Sequence, residues 1–397
     1  MPRSPTAIST PCIVCASPNT VPVLQIEDTP VDTIRLWRGS ADARSAPRAQ
    51  IRVTYCEDCG HLFNGDYHDE LVSYETDYEN SQMFSPRFRR YAEELSDRLI
   101  TTYNLRQKDV VEIGGGRGDF LRILCDRGNN RGISFCPSYR PAPGDDIPAN
   151  VRFVTDYYTA KYADVPASLI ISRHVLEHFW EPRPLIETVR QAVGDRKDLV
   201  VYFEVPNGEF IFREQAFWEL IYQHPSYFTQ SSLAKLFTVC GFQIRAIRES
   251  FGGQVLEIEA SVESDLSNRS WPHEANAATA VLARGLAAAF RVKVESWRDT
   301  LNRLNAQGRR VVAWGAGAKA TTFLNIVDPA GTVISHVVDI NPRKTGRFVP
   351  GTGQRIIEPD ELRELRPDIV ILMNELYRQE ITSQTAGLRI YPEFLAA

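Results

Sequence analysis

The sequence predicts an α/β protein in three parts. These are an N-terminal metal-binding module, a doubly wound Rossmann-like domain and a smaller C-terminal Rossmann-like α/β domain. Three observations carry the prediction. Four cysteines pair as Cys12-x2-Cys15 and Cys56-x2-Cys59. A short apolar strand runs into glycines at 114, 116 and 118 and then into an amphipathic helix. A second strand–glycine turn–helix, from Val311 to Lys319, recurs near the C-terminus. At 397 residues the chain exceeds what one hydrophobic core usually supports. The expected parts are 1–68, 69–265, a helical connector at 266–307, and 308–397.

Charge is mixed, with 45 basic and 50 acidic residues and a net of −5, so no general basic surface invites nucleic acid. No apolar run reaches membrane-spanning length, and residues 1–11 lack the apolar core of a signal peptide. The expected location is the cytoplasm, where thiols serve metals or catalysis rather than disulfides.

Taken in order, Cys12, Cys15, Cys56 and Cys59 form two knuckles that supply a four-sulfur tetrahedral cage, the usual arrangement of a structural zinc. The loop between them contains a plausible strand pair, 33–37 with 50–54. His61 follows the second knuckle and reads as a surface residue. Residues 66–82 are rich in tyrosine and acids and read as a loop leading into a helix over Pro86–Tyr103. Tyr78 and Asn80 on this loop are candidates for reaching a substrate.

The stretch Val110-Val111-Glu112-Ile113-Gly114-Gly115-Gly116-Arg117-Gly118 is a buried strand entering a glycine turn. The helix after it presents backbone N–H groups to whatever binds there. Turns of this kind also serve simply to pack a strand on a helix. Glu112 precedes the first glycine by two residues, and no Lys-Ser/Thr follows as in a phosphate loop. Acid-x-Gly-x-Gly-x-Gly resembles the first motif of the S-adenosylmethionine (SAM) methyltransferases. The resemblance implies that Gly114, Gly116 and Gly118 receive the methionine part of SAM and that Glu112 fixes loop and ligand. A second strand, Arg131–Phe135, ends at Cys136. In those enzymes an acid near this place binds the ribose hydroxyls, so Cys136 is a departure. A third strand, Val151–Val154, leads to Asp156, where the resemblance implies a contact to the adenine amine. A fourth strand, 168–172, is followed by Arg173-His174-Val175-Leu176-Glu177-His178.

A further strand at 199–205 ends in Glu204, and Tyr222-Gln223-His224 comes after it. Tyr222 and His224 face the same way if this segment is extended. A histidine with its ordinary pKa near 6.5 suits proton abstraction at physiological pH. Residues 231–240 form a helix closed by Gly241, and 244–247 with 255–260 a terminal strand pair. The Ala/Arg-rich stretch 274–307 is a long helix packing one domain on another. Beyond Gly308 come the turn Gly315-Ala316-Gly317-Ala318-Lys319, a strand over Ile334–Val338 and another near 367–374. The turn lacks the full pattern for a nicotinamide dinucleotide, which argues against a redox role.

Nearly the whole chain resembles the sugar C-methyltransferases that act on nucleotide-linked ketodeoxysugars. The cysteine knuckles, the Glu112–Gly118 motif, Gly315–Lys319, Asp339-x-Asn341-Pro342-x-Lys344-x-Gly346, Pro350-Gly351-Thr352 and Asn374 match in order. The resemblance implies SAM and a structural zinc as cofactors and a small, nucleotide-linked substrate covered by the C-terminal domain. The family's Tyr-Glu-His triplet falls on Tyr222, Gln223 and His224, with Gln223 in place of the acid. Its other active-site histidine falls on His178 and its early tyrosine on Tyr78. His224 is then the base that removes a proton beside a ketone, with Tyr222 or His178 bonding the oxyanion. Two other readings stay open: altered chemistry on the same scaffold, such as N- or O-methylation or a SAM-independent reaction, and a catalytically silent binding protein.

Overall fold

The cysteine knuckles bracket an antiparallel sheet. In this computed structural model, which describes residues 10–73, 79–141, 147–262 and 277–397, strand β1 (Thr20–Pro30) pairs with β2 (Arg48–Cys56), and β2 with β3 (Leu62–Asn64). The expected partner of 50–54 was 33–37, and the structure corrects this. Register shifts after Pro22 and Ile26 break the alternation of β1 and hide its strand signature. Segment 33–37 contributes an isolated bridge, Trp37 to Phe348. A short helix α1 (Ser40–Arg44) connects β1 to β2.

Helix α2 (Pro86–Tyr103) runs over the predicted residues. The Ser85 hydroxyl caps the Phe88 N–H, Pro86 presets the first turn, and Asn104 ends the helix in the left-handed region. Its buried face, Ala92, Leu95 and Leu99, packs with Leu121 and Leu124 of α3 (Asp119–Gly128). Five parallel strands follow: β4 (Asp109–Ile113), β5 (Arg131–Phe135), β6 (Val151–Val154), β7 (Leu169–Arg173) and β8 (Val200–Pro206). Helices α4 (Pro182–Val193), α5 (Gly208–Arg213) and α6 (Gln230–Val239) intervene or follow. Strand β9 (Ser226–Tyr227) leaves this domain to pair with β3. Strands β10 (Gln243–Ser250) and β11 (Val255–Ser261) close the sheet antiparallel to β8, in the order β10-β11-β8-β7-β4-β5-β6. The order reverses between β4 and β7, which puts the topological switch point of the sheet at their carboxyl ends.

Helix α7 (Ala277–Ala306) spans 30 residues and leads into a parallel five-stranded sheet. That sheet is built from β12 (Val311–Trp314), β13 (Ile334–Val338), β14 (Arg355–Ile357), β15 (Ile369–Leu372) and β16 (Glu393–Ala396), ordered β14-β13-β12-β15-β16. Helices α8 (Ala318–Val327), α9 (Leu362–Leu365) and α10 (Arg378–Gly387) alternate with its strands. One core joins the parts: Ile51, Val53, Trp218, Tyr222, Leu286 and Phe323 are buried together. The Phe323 ring meets Trp218 and Trp297 edge-on at 5.0 Å each. Among the described residues, no helix is long and apolar enough to cross a membrane.

Candidate active site

Glu112, at the end of β4, is buried and accepts a 3.0 Å hydrogen bond from the Ser134 hydroxyl. It lies directly beneath the glycine turn, since a Cβ on Gly115 would fall 1.8 Å from its Oε2. Burial pushes this carboxyl up to about 7, against the opposing pull of Ser134 and Arg173. Gly114, Gly116 and Gly118 all have φ between 55° and 74°, the left-handed region that favours glycine. A Cβ on Gly114 would strike Val175 and one on Gly118 would strike Phe153, whereas one on Gly116 meets nothing within 4 Å. The turn is thus held from below and open above, a cradle with room for a ligand to approach the backbone.

The other residues assigned to SAM have partners within the chain. Cys136 is buried at the end of β5, its sulfur 3.2 Å from the Ser138 hydroxyl. Beside it the Tyr139 ring stacks on Phe153 at 4.1 Å. Asp156 already binds the Lys161 ammonium, the Tyr162 hydroxyl at 2.7 Å and its neighbour's N–H, and these partners hold its carboxyl below the ordinary range.

The carboxyl end of β7 carries a dense group of titratable side chains. The Arg173 guanidinium, 4.4 Å above the Phe120 ring, forks onto both oxygens of Glu204 at 2.7 and 3.0 Å. Burial would raise Glu204, but Arg173 and then His174 hold it well below the carboxylate range. His174 adopts φ 54° and lies 3.1 Å from Glu204 and 3.6 Å from Glu177. Burial would lower this imidazole, yet its two carboxylates lift it to about 9. Four residues on, His178 Nδ1 lies 2.9 Å from the Gln223 carbonyl oxygen, and the His178 ring meets that of His224. Burial lowers both, and His178 and His174 repel a proton from His224 further.

The members of the predicted triplet meet different partners, which corrects the reading of Tyr222 and His224 on one face of an extended segment. The Tyr222-Gln223 turn is closed by the His224 N–H on the Ile221 carbonyl at 3.1 Å, so the segment is not extended. Tyr222 is wholly buried, its hydroxyl accepting from the His68 N–H at 3.0 Å. Gln223 Oε1 accepts from the N–H and hydroxyl of Thr33, at 3.0 and 2.8 Å, and its amide faces Asp32. Neither side chain orients His224. Tyr78 lies outside the described residues, and Asn80 is exposed.

The four knuckle sulfurs converge. Cys12 to Cys59 and Cys15 to Cys56 are each 3.6 Å, and all four lie within 4.8 Å of one another. A tetrahedral zinc with ~2.3 Å sulfur bonds needs sulfurs roughly 3.8 Å apart. The donor set fits that ion. His61 is fully buried rather than on the surface, its Nδ1 3.3 Å from the Ser232 hydroxyl and its ring tilted on Phe228 at 4.9 Å. The module also grips the histidine segment. The Asn64 N–H donates to the Pro225 carbonyl at 2.9 Å, immediately after His224, and Ser231 donates to the Cys59 carbonyl at 2.9 Å.

Side chains beyond the carboxyl ends of β12, β13 and β15 meet loops of the preceding domain. Lys319, in the first turn of α8, pairs with Glu219 and donates to Gln254 at 3.1 Å, and Asn374 beyond β15 donates to the same Gln254 oxygen at 2.8 Å. Glu79 takes bonds from Asn341 and Arg343 beyond β13, while Ser81 binds Asp119 at the start of α3. In the second glycine turn, Asp339 accepts from the Ala316 N–H and from Lys344. Sequence reasoning gave no role to Arg173, His174, Glu177 or Glu204. Charged residues closing two otherwise apolar strands were the available signal, because such charges must find partners.

Residues 83–247 match the methyltransferase domain family and residues 273–391 the C-methyltransferase C-terminal domain family. The C-methyltransferase NovU of Streptomyces niveus is 22% identical over 316 residues, covering 74% of this chain and 72% of that protein. Among solved structures, magnesium protoporphyrin IX methyltransferase of Synechocystis PCC 6803, with bound SAH, aligns at TM-score 0.34 and 15% identity over 44% of this chain and 84% of that one. A SAM-dependent methyltransferase of Mesorhizobium loti aligns at TM-score 0.33 and 15% identity, covering 43% and 97%.

Proposed function

We propose that this chain, which belongs to the SAM-dependent C-methyltransferases, methylates a carbon next to a ketone in a nucleotide-linked sugar or similarly activated intermediate. The observation that carries the reading is the His178–His224 pair, ring centroids 4.6 Å apart, beyond the carboxyl end of β7. Two half-buried imidazoles that burial keeps neutral suit removal of a weakly acidic C–H proton.

His224 takes the proton, and His178, whose Nδ1–H donates to the Gln223 carbonyl and whose ring packs on that of His224, holds the base in place. Glu112 and the turn at 114–118 hold SAM, which supplies an electrophilic methyl group when bound. Lys319, Gln254 and Asn374, where the C-terminal domain meets the sheet end, exclude water and orient the acceptor. Cys12, Cys15, Cys56 and Cys59 hold zinc in a closed site without an open coordination position, so its contribution is to folding. The same reading puts the chain in the reducing cytoplasm, where thiols serve metals rather than disulfides.

The test is incubation with methyl-labelled SAM and a panel of nucleotide-linked ketosugars. The expected product gains one labelled methyl on carbon and, without SAM, the same substrate exchanges its adjacent proton with solvent deuterium. Label found on nitrogen or oxygen would redirect the chemistry, and SAM binding without turnover of any acceptor would favour a binding protein.

A further inference from the structure

Gln223 is turned away toward Thr33, so the base of the proposed reaction lacks its expected neighbour. We infer that Glu177 is the positioning carboxylate of the His178–His224 pair. This inference rests on the proposed role of that pair in deprotonation.

The geometry comes from four residues in a row. Glu177 is 1% exposed, and its Oε1 lies 3.6 Å from His174 Nδ1. Its Oε2 is buried with no hydrogen-bond partner. One carboxylate oxygen of Glu177 and one ring nitrogen each of His178 and His224 lie within 4.8 Å of one another. A buried carboxylate oxygen without a partner in the chain is free to accept from a protonated imidazole beside it. Its other side is anchored, since His174 also reaches Glu204, itself clamped by Arg173. The row Arg173–Glu204–His174–Glu177 thus alternates in charge and ends at the histidine pair.

The chemistry needs such a group. When the substrate's proton moves to His224, the C–H bonding electrons stay on the substrate as the enolate and the imidazole pair becomes cationic. The other titratable or charged groups around it are His174 on the same turn, Arg173 at the end of β7 and Glu204 on β8. His174 repels a proton on His224, and Glu204 is already neutralised by Arg173 and His174. Glu177 remains as the nearby anion that favours the protonated pair.

The test uses full-length zinc-loaded protein labelled with 15N-histidine, titrated by NMR without substrate. Glu177→Gln is expected to lower the protonation midpoint of the His178–His224 pair by about one pH unit, tenfold in the equilibrium. Glu177→Asp should restore part of the shift, and SAM affinity by calorimetry should stay within about twofold. Should Glu177→Gln fail to fold, Glu177→Asp carries the test, with a smaller fall expected. Unchanged midpoints in a folded variant overturn the inference. So does Glu177-dependent uptake of a second zinc per chain, which would make the cluster a metal site. Because no substrate enters, a chain that fails to methylate ketosugars while its midpoints shift would sink the functional reading alone. Turnover with unmoved midpoints would sink only the role of Glu177.

Discussion

The ring of His224 stands edge-on to that of His178, with planes 85° apart and centroids separated by 4.6 Å. Burial keeps both imidazoles below their ordinary range, so the pair is neutral where a base has to be. His174 is pushed the other way, to about 9, by two carboxylates on either side. Environments that drive neighbouring groups apart in this way separate those that exchange protons from those that hold a charge.

The charge on His174 gives a pH dependence of stability whose sign is fixed. Its folded pKa, about 9, lies above the ordinary 6.5. The contribution is therefore complete below about pH 6.5 and is lost as pH rises through about 9. A shift of that size corresponds to at most ~3.4 kcal/mol; with 31% of the side chain exposed, water screens part of it. The difference in Tm between the natural protein and His174→Gln should accordingly be largest near pH 6 and shrink toward pH 10. A difference that grows with pH would contradict the assigned pairing.

The glycine turn separates two kinds of substitution. A Cβ on Gly116 meets open space, whereas one on Gly115 falls on Glu112. Gly116→Val should abolish SAM binding in calorimetry and leave the zinc content unchanged, though its φ of 55° adds some strain. Gly115→Ala should lower Tm as well, by displacing a buried carboxyl, at a cost of ~1–3 kcal/mol. Unchanged SAM affinity in Gly116→Val would move the cofactor away from this turn.

Zinc should matter beyond the module that holds it, because β3 pairs with β9 just after His224. Cys56→Ser is expected to lose the metal and much of the soluble yield, since metal binding is linked to folding. Chelation of the purified protein should lower turnover along with Tm, as the Asn64–Pro225 bond loosens. Freshly purified protein without zinc by metal analysis would remove this account.

Much of the fold was legible because its signals are local. The cap and proline at Ser85-Pro86 mark the start of α2, and apolar runs between glycine turns mark the parallel strands. The strand β1 was missed because its register shifts erase a period of two. In the site, the family resemblance pointed to both histidines, and spacing marked the knuckles and the glycine turn. It missed the side chains whose partners are distant in sequence. Gln223 meets Thr33 from 190 residues away, and Arg173 meets Glu204 across two strands. Spacing also suggested a common face for Tyr222 and His224, which a single turn hydrogen bond abolishes.

That turn reverses the expected result of one substitution. A carboxylate at position 223, next to the histidine in sequence, would raise its basicity if the two side chains met. They do not, and the Gln223 amide instead lies 3.5 Å from Asp32, whose carboxyl burial already pushes up. Gln223→Glu should therefore lower Tm at neutral pH through a like-charge contact, and the loss should ease on acidification as one carboxyl takes a proton. A shift of the activity profile to higher pH with unchanged stability would restore the triplet.

His224→Asn isolates the chemical step. Asparagine keeps a polar amide of similar reach but accepts no proton, so the deprotonation loses its base while the cradle at 114–118 is untouched. kcat should fall by about 10²–10⁴, the usual yield of general acid–base catalysis, with SAM affinity unchanged. Exchange of substrate protons with solvent deuterium should vanish with it. Tyr222→Phe should retain exchange, because its hydroxyl serves the His68 N–H rather than the base, and should cost stability of ~1 kcal/mol. Because the His224 ring packs on that of His178, Tm of His224→Asn must be measured alongside. A fall in kcat matched by a collapse in Tm would report packing, whereas one at unchanged Tm reports the lost proton acceptor. Full turnover in a folded His224→Asn would end the proton-abstraction mechanism at this residue.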